Sequence, residues 1–151
     1  MGELLKVGSD INAHDQFGWS ALLRAARNGH VQAVEFLLAA GIDKNAINSD
    51  GNTALMLAAG SDKREVADTL LAAEVDVDVR NAANHTALMY ATSAEIVDAL
   101  VKSGVDVDAT DQDGNSALHR VAEDGEEAVV SSSVAGWGKC RRKEQGRRDR
   151  A

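Results

Sequence analysis

GNTALMLAA, from Gly51 to Ala59, has three near-copies along the chain: GWSALLRAA from Gly18, NHTALMYAT from Asn84 and GNSALHRVA from Gly114. Their hydroxyl residues, Ser20, Thr53, Thr86 and Ser116, follow one another at steps of 33, 33 and 30 residues. A repeat of this length is one supersecondary unit, which buries its apolar face only by stacking on its neighbours. Each hydroxyl stands just ahead of apolar residues at helical spacing, where a side-chain oxygen caps the free amides of a helix start. In the second unit Leu22, Ala25 and Ala26 share one face of a short first helix, and Val31, Val34, Leu37 and Leu38 share one face of a second. Between the two, Asn28-Gly29-His30 breaks the pattern as a turn does.

Behind the second helix another block recurs: Gly41 with Asp43 and Asn45, then Asp76 with Asp78, then Gly104 with Asp106 and Asp108. Glycine there permits the left-handed conformation that ends a helix. The stretch from about Ile42 to Asn52 therefore reads as an extended finger turning at Asn48 to Gly51. The unit, a helix pair plus a projecting hairpin, resembles the ankyrin repeat, with its 33-residue period, Thr-Pro-Leu-His opening, Gly-His between helices and Gly-Ala before the finger. The resemblance covers about residues 4–134 and implies an all-α repeat solenoid, a stack of helix-turn-helix units with β-hairpin fingers aligned along one edge. It divides the chain into a partial unit at 1–14, units at 15–47, 48–80, 81–110 and 111–134, and a basic tail at 135–151. That tail, rich in Ser, Gly and charge, is expected to be disordered.

Departures from the pattern carry their own expectations. Every proline of the family opening is alanine here, at Ala21, Ala54, Ala87 and Ala117, but the hydroxyl cap remains. The fourth unit is three residues short around Thr92 to Glu95, so its first helix or turn should be clipped. Glu74 takes the place of the helix-ending glycine, which should strain or reshape the finger that follows. Only Leu4, Leu5 and Val7 survive of a first unit, and Ser131, Ser132 and Ser133 interrupt the last one. Both ends read as weak caps, so the chain is either a fragment of a longer array or has its last face covered by the tail.

With 44% hydrophobic but only 3% aromatic residues, the core must come from Ala, Val, Leu and Ile in closely packed small helices. No run reaches the roughly 18 apolar residues of a membrane span, and the single Cys140 forms no intrachain disulfide. An intracellular location, cytoplasmic or nuclear, is the expectation. The net charge of -8 hides a division: residues 1–130 hold 9 Lys and Arg against 22 Asp and Glu, whereas 131–151 hold 7 against 2. Such an acidic body repels nucleic acid and anionic lipid and favours partners with a basic patch.

DATDQDGN, from Asp108, has the look of a calcium loop, but in register with Gly114 its first ligand position falls on Ala109 and its last on Arg120, where a bidentate Glu is needed. A fifth finger explains the same residues. His14, His30, His85 and His119 pair with no other His or Cys at a ligand spacing, so no metal or cofactor is expected. His30 and His119 match histidines of the ankyrin pattern, for which the resemblance implies a structural hydrogen bond. No catalytic triad, phosphate loop or pair of carboxylates in an apolar setting can be assembled, and the chain does not read as an enzyme.

The resemblance implies instead a protein-protein interaction module, a scaffold or adaptor that meets its partner with fingertips and with outward residues of each first helix. By position these are Gln16, Phe17, Trp19, Arg27 and Asn28, then Ser49, Asp50, Asn52 and Ser61, then Ala82, Ala83 and His85, and finally Gln112, Asp113, Asn115, Glu123 and Asp124. Phe17 and Trp19 are either apolar anchors for a partner or pack on each other and over the incomplete first unit. Asp50, Asp113 and Asp124 would form an acidic rim. The alternative places recognition in the tail, where Lys139, Arg141, Arg142, Lys143, Arg147, Arg148 and Arg150, with Trp137 to stack, could bind nucleic acid or an import receptor. Neither reading calls for a small-molecule substrate or a membrane, and a monomer is expected.

Overall fold

The computed structural model describes residues 10–119, so Leu4, Leu5 and Val7, the serine run at 131–133 and the basic tail lie outside the described residues. Among the described residues are six helices: α1 (Ala21–Asn28), α2 (Val31–Ala39), α3 (Ala54–Gly60), α4 (Arg64–Ala72), α5 (Ala87–Tyr90) and α6 (Ala94–Lys102). Helical backbone resumes at 117–119. First helices α1, α3 and α5 pack side by side in one layer, and second helices α2, α4 and α6 in another, with each pair also in contact. This is the all-α repeat solenoid. Three of the four described fingers are hairpins reduced to a single antiparallel bridge, at His14–Ser20, Ile47–Thr53 and Thr110–Ser116.

Equivalent positions become columns of core. Leu22, Leu55 and Leu88 are all within 1% of full burial, as are Leu70 and Leu100 of the second layer. Ala26, Ala58, Ala59 and Ala67 have no exposed surface, and their small side chains let neighbouring helices approach closely. Few aromatics are needed for a core built in this way.

Helices begin where the hydroxyls stand. Ser20 Oγ accepts the Leu23 amide at 3.4 Å and Thr53 Oγ1 accepts the Met56 amide at 3.3 Å. In the last unit His119 Nδ1 accepts the Ser116 amide at 3.2 Å and lies 2.9 Å from its hydroxyl, the structural role expected of that histidine. Thr86 is buried yet caps nothing, and α5 is only four residues long. The missing three residues force the chain out of the helix at Ala91 (φ -61, ψ 124), and the clipped segment is tied back by the Thr92 hydroxyl, which donates to the Ala59 carbonyl at 3.4 Å.

The recurrent Asp-x-Asn/Asp block joins units. Asn12 Oδ1 accepts the Asp43 amide at 2.8 Å, Asn45 Oδ1 that of Asp76 at 2.9 Å, and Asp78 Oδ1 that of Asp106 at 2.8 Å. A side chain of one finger base thus satisfies the backbone of the next.

Glu74 adopts the left-handed conformation (φ 58) that glycine holds at Gly41 and Gly104. Its amide bonds to the Leu71 carbonyl at 3.0 Å and that of Val75 to Leu70 at 3.4 Å, matching the bonds after Gly41 and Gly104. The finger is strained, not reshaped. A left-handed conformation costs an L-residue about 1–2 kcal/mol, partly offset by the greater freedom of glycine in the unfolded chain. Glu74→Gly should therefore raise stability by about 1 kcal/mol, read as a higher urea midpoint with an unchanged slope.

Candidate functional site

Four fingertips are built on one plan. Asp15, Asn48, Asn81 and Asp111 each turn Oδ1 onto two backbone amides two and four residues ahead, at 2.8 to 3.0 Å. Asp111 therefore binds its own turn, and among the described residues no group of three or more His, Cys, Asp or Glu gathers around a metal position. Successive fingers are laced by backbone: the Ser49 amide donates to the Phe17 carbonyl at 3.0 Å and the Ala82 amide to that of Asp50 at 2.9 Å. A Cβ on Gly51 (φ +78) would stand 3.0 Å from Asn81 Cα and Ala82 N, so this approach needs glycine. The finger on Asn81 turns on Asn84 instead (φ 64), whose Nδ2 donates to the Thr110 carbonyl at 3.0 Å. There side chains replace the backbone lacing, with Gln112 Nε2 donating to the Ala82 carbonyl at 2.9 Å.

Between fingers and first helices runs an open groove of about 300 Å³. Of the residues picked out from the sequence it gathers Trp19, Arg27, Asp50, Asn52 and Ser61; Asn48, Met56, Leu57, Gly60 and Tyr90 complete the lining. Leu57 and Tyr90 were legible as lining, since they stand 33 residues apart at an outward position of the first helix. A Cβ on Gly60 would meet the Tyr90 ring at 3.5 Å, so the missing side chain leaves that part of the floor open.

The two candidate anchors differ. Trp19 is half-buried against the core, with the guanidinium groups of Arg24 and Arg27 over its ring at 5.9 and 5.4 Å. Phe17 is 58% exposed and lies outside the groove lining. His85 is half-buried, edge-on to Tyr90 at 5.6 Å and 3.8 Å from Asp111. Gln16, Asn28, Ser49, Ala82, Ala83 and Asp113 are exposed and Asn115 is half-buried, whereas Glu123 and Asp124 lie outside the described residues. His30 departs from expectation: its ring is exposed and caps nothing, because the turn into α2 is closed by its backbone amide, 3.0 Å from the Ala25 carbonyl.

A polar relay runs along one wall. Asn81 Nδ2 donates to Asn52 Oδ1 and to Tyr90 Oη, both at 2.8 Å. The equivalent nitrogen of Asn48 is buried with no partner among the described residues. Such a group destabilises the free protein by about 1–3 kcal/mol.

At the groove's N-terminal end, Asp15 pairs with Arg24. Its carboxyl is held below the ordinary value, mainly by the Trp19 amide; desolvation acts the other way, and the Phe17 amide and Arg24 add to the lowering. A depressed carboxyl pKa stabilises the fold above the unfolded value of about 3.9, and this is lost as pH falls through the folded value. Carboxyl-carbon NMR should find Asp15 titrating below that value, and Arg24→Ala should move it upward.

The family model described as ankyrin repeats (3 copies) matches residues 1–81 and 73–132. Comparison with curated proteins gives no match. Among the described residues no helix is long and apolar enough to cross a membrane. With a 33-residue repeat, paired helices in two layers, a row of laced fingers and that match over most of its length, the chain belongs to the ankyrin-repeat family.

Proposed function

We propose that this chain holds a protein partner through the groove and the adjoining fingertips. Ankyrin repeats are generally protein-protein interaction modules and typically not enzymes. One observation carries the reading for this chain: Trp19, Met56, Leu57 and Tyr90 line an open groove whose floor is widened by Gly60. Trp19 is the principal anchor and the exposed Phe17 a second, on the fingertip edge with Gln16, Ser49, Ala83 and Gln112. Asp50 and Asp113, exposed along that edge, favour a partner with a basic patch.

A tryptophan anchor buried in an interface contributes about 2 kcal/mol or more to binding. Cross-linked pull-down from lysate of the source cell should recover a protein with the intact chain, and Trp19→Ala should weaken that capture by about thirtyfold. Truncation before Ser131 should leave capture in place. Recovery that follows the tail and ignores Trp19 would show that the repeats serve as a scaffold.

A further inference from the structure

We infer that the groove takes an extended peptide segment which sets a main-chain carbonyl on Asn48 Nδ2 and lays an apolar side chain against Trp19 and Leu57; this rests on the groove being the binding surface. Asn48 is only 5% exposed and lines the groove. Its orientation is fixed, because Oδ1 accepts the amides of Asp50 and Asn52 at 3.0 Å each, and turning the amide over would set donors against donors. Nδ2 is left without a partner.

The repeat itself shows what is missing. At the equivalent position one unit on, Asn81 gives its two protons to Asn52 and Tyr90. Thirty-three residues earlier those two acceptors become Trp19 and Leu57, whose side chains accept no hydrogen bond. One donor without an acceptor stands beside Met56, Leu57 and Tyr90, and an extended peptide supplies both carbonyls and alternating side chains. A carboxylate is a poorer fit: on the groove lining Asp50 offsets Arg27, and residues 1–130 carry 22 acidic against 9 basic side chains. Nδ2 is itself buried, so a carbonyl bonds to it only when the lining beside it gives way, and the Trp19 ring is part of that lining. That ring is held by stacked guanidinium groups and by apolar packing, not by a hydrogen bond.

The test selects random short peptides displayed on phage against the full chain, then titrates synthetic copies into the chain, Asn48→Asp and Trp19→Ala. Asn48→Asp keeps the fingertip turn, since Asp15 and Asp111 make the same two amide bonds there, although their second carboxylate oxygens face Arg24 and His85. The expected result is at least a roughly tenfold loss of affinity for each variant. In the unsubstituted chain, the side-chain amide protons of Asn48 should shift on peptide addition, a readout that needs no variant to fold. Loss on Trp19→Ala with Asn48→Asp within about twofold and the amide protons unmoved would overturn the Asn48 assignment and leave the groove reading standing. Peptides whose binding depends on their own Asp or Glu would overturn the choice of a carbonyl. Failure to recover any peptide sensitive to Trp19→Ala would remove the groove reading and this inference with it.

Discussion

Leu55→Ala should lower stability by about 3 kcal/mol, within the roughly 2–5 kcal/mol range for a leucine deleted from a packed core. Leu55 is 1% exposed in the first turn of α3, the helix that stands between α1 and α5. In a stacked array, units couple only through their neighbours, so a cavity at this position also weakens the link between the two halves. Urea denaturation followed by circular dichroism should show a lower midpoint, with a smaller slope if the halves begin to unfold separately. Phe36, 42% exposed on α2, is the control, and Phe36→Ala should cost well under half as much. Equal losses at the two positions would mean that the apolar columns are not what holds the array together.

The second large effect comes from one substitution made at two equivalent positions. Asn81→Asp should destabilise by about 2 kcal/mol, because it removes the donor to Asn52 Oδ1 and to Tyr90 Oη and sets a carboxylate against the Asn52 carbonyl. The turn itself survives, since either side chain accepts the amides of Ala83 and His85. Asn48→Asp should cost less than Asn81→Asp, because the nitrogen it replaces makes no bond in the free protein, so a buried carboxylate oxygen is added but no hydrogen bond is lost. A double-mutant cycle of Asn81→Asp with Tyr90→Phe should show a coupling of about 0.5–1.5 kcal/mol. No difference between the two asparagine variants would show that the relay contributes nothing.

These effects trace how far the sequence could be read. The hydroxyl caps at Ser20 and Thr53, the column of Leu22, Leu55 and Leu88, and the clipped first helix near Thr92 all follow from local spacing, and all are found. Glu74 was legible as strained because only the backbone conformation at that position was in question. Whether strain or reshaping would result depended on tertiary bonds to Leu70 and Leu71. His30 was misjudged because position in a motif does not say which of its groups, ring or amide, closes the turn.

By itself, then, the sequence determined the repeat and its helix starts, which depend on contacts within one unit, and the buried columns and finger edge, which follow once a regular 33-residue spacing stacks like units on one another. The tertiary structure alone decided which residues meet in the groove. Trp19, Asn48, Leu57 and Tyr90 come from three different units and are brought together only by stacking. Only in that stack does the exchange of Asn52 and Tyr90 for Trp19 and Leu57 leave one asparagine satisfied and its equivalent with a donor to offer, since the bond from Asn81 to Asn52 joins two units and exists only once the distance between them is set.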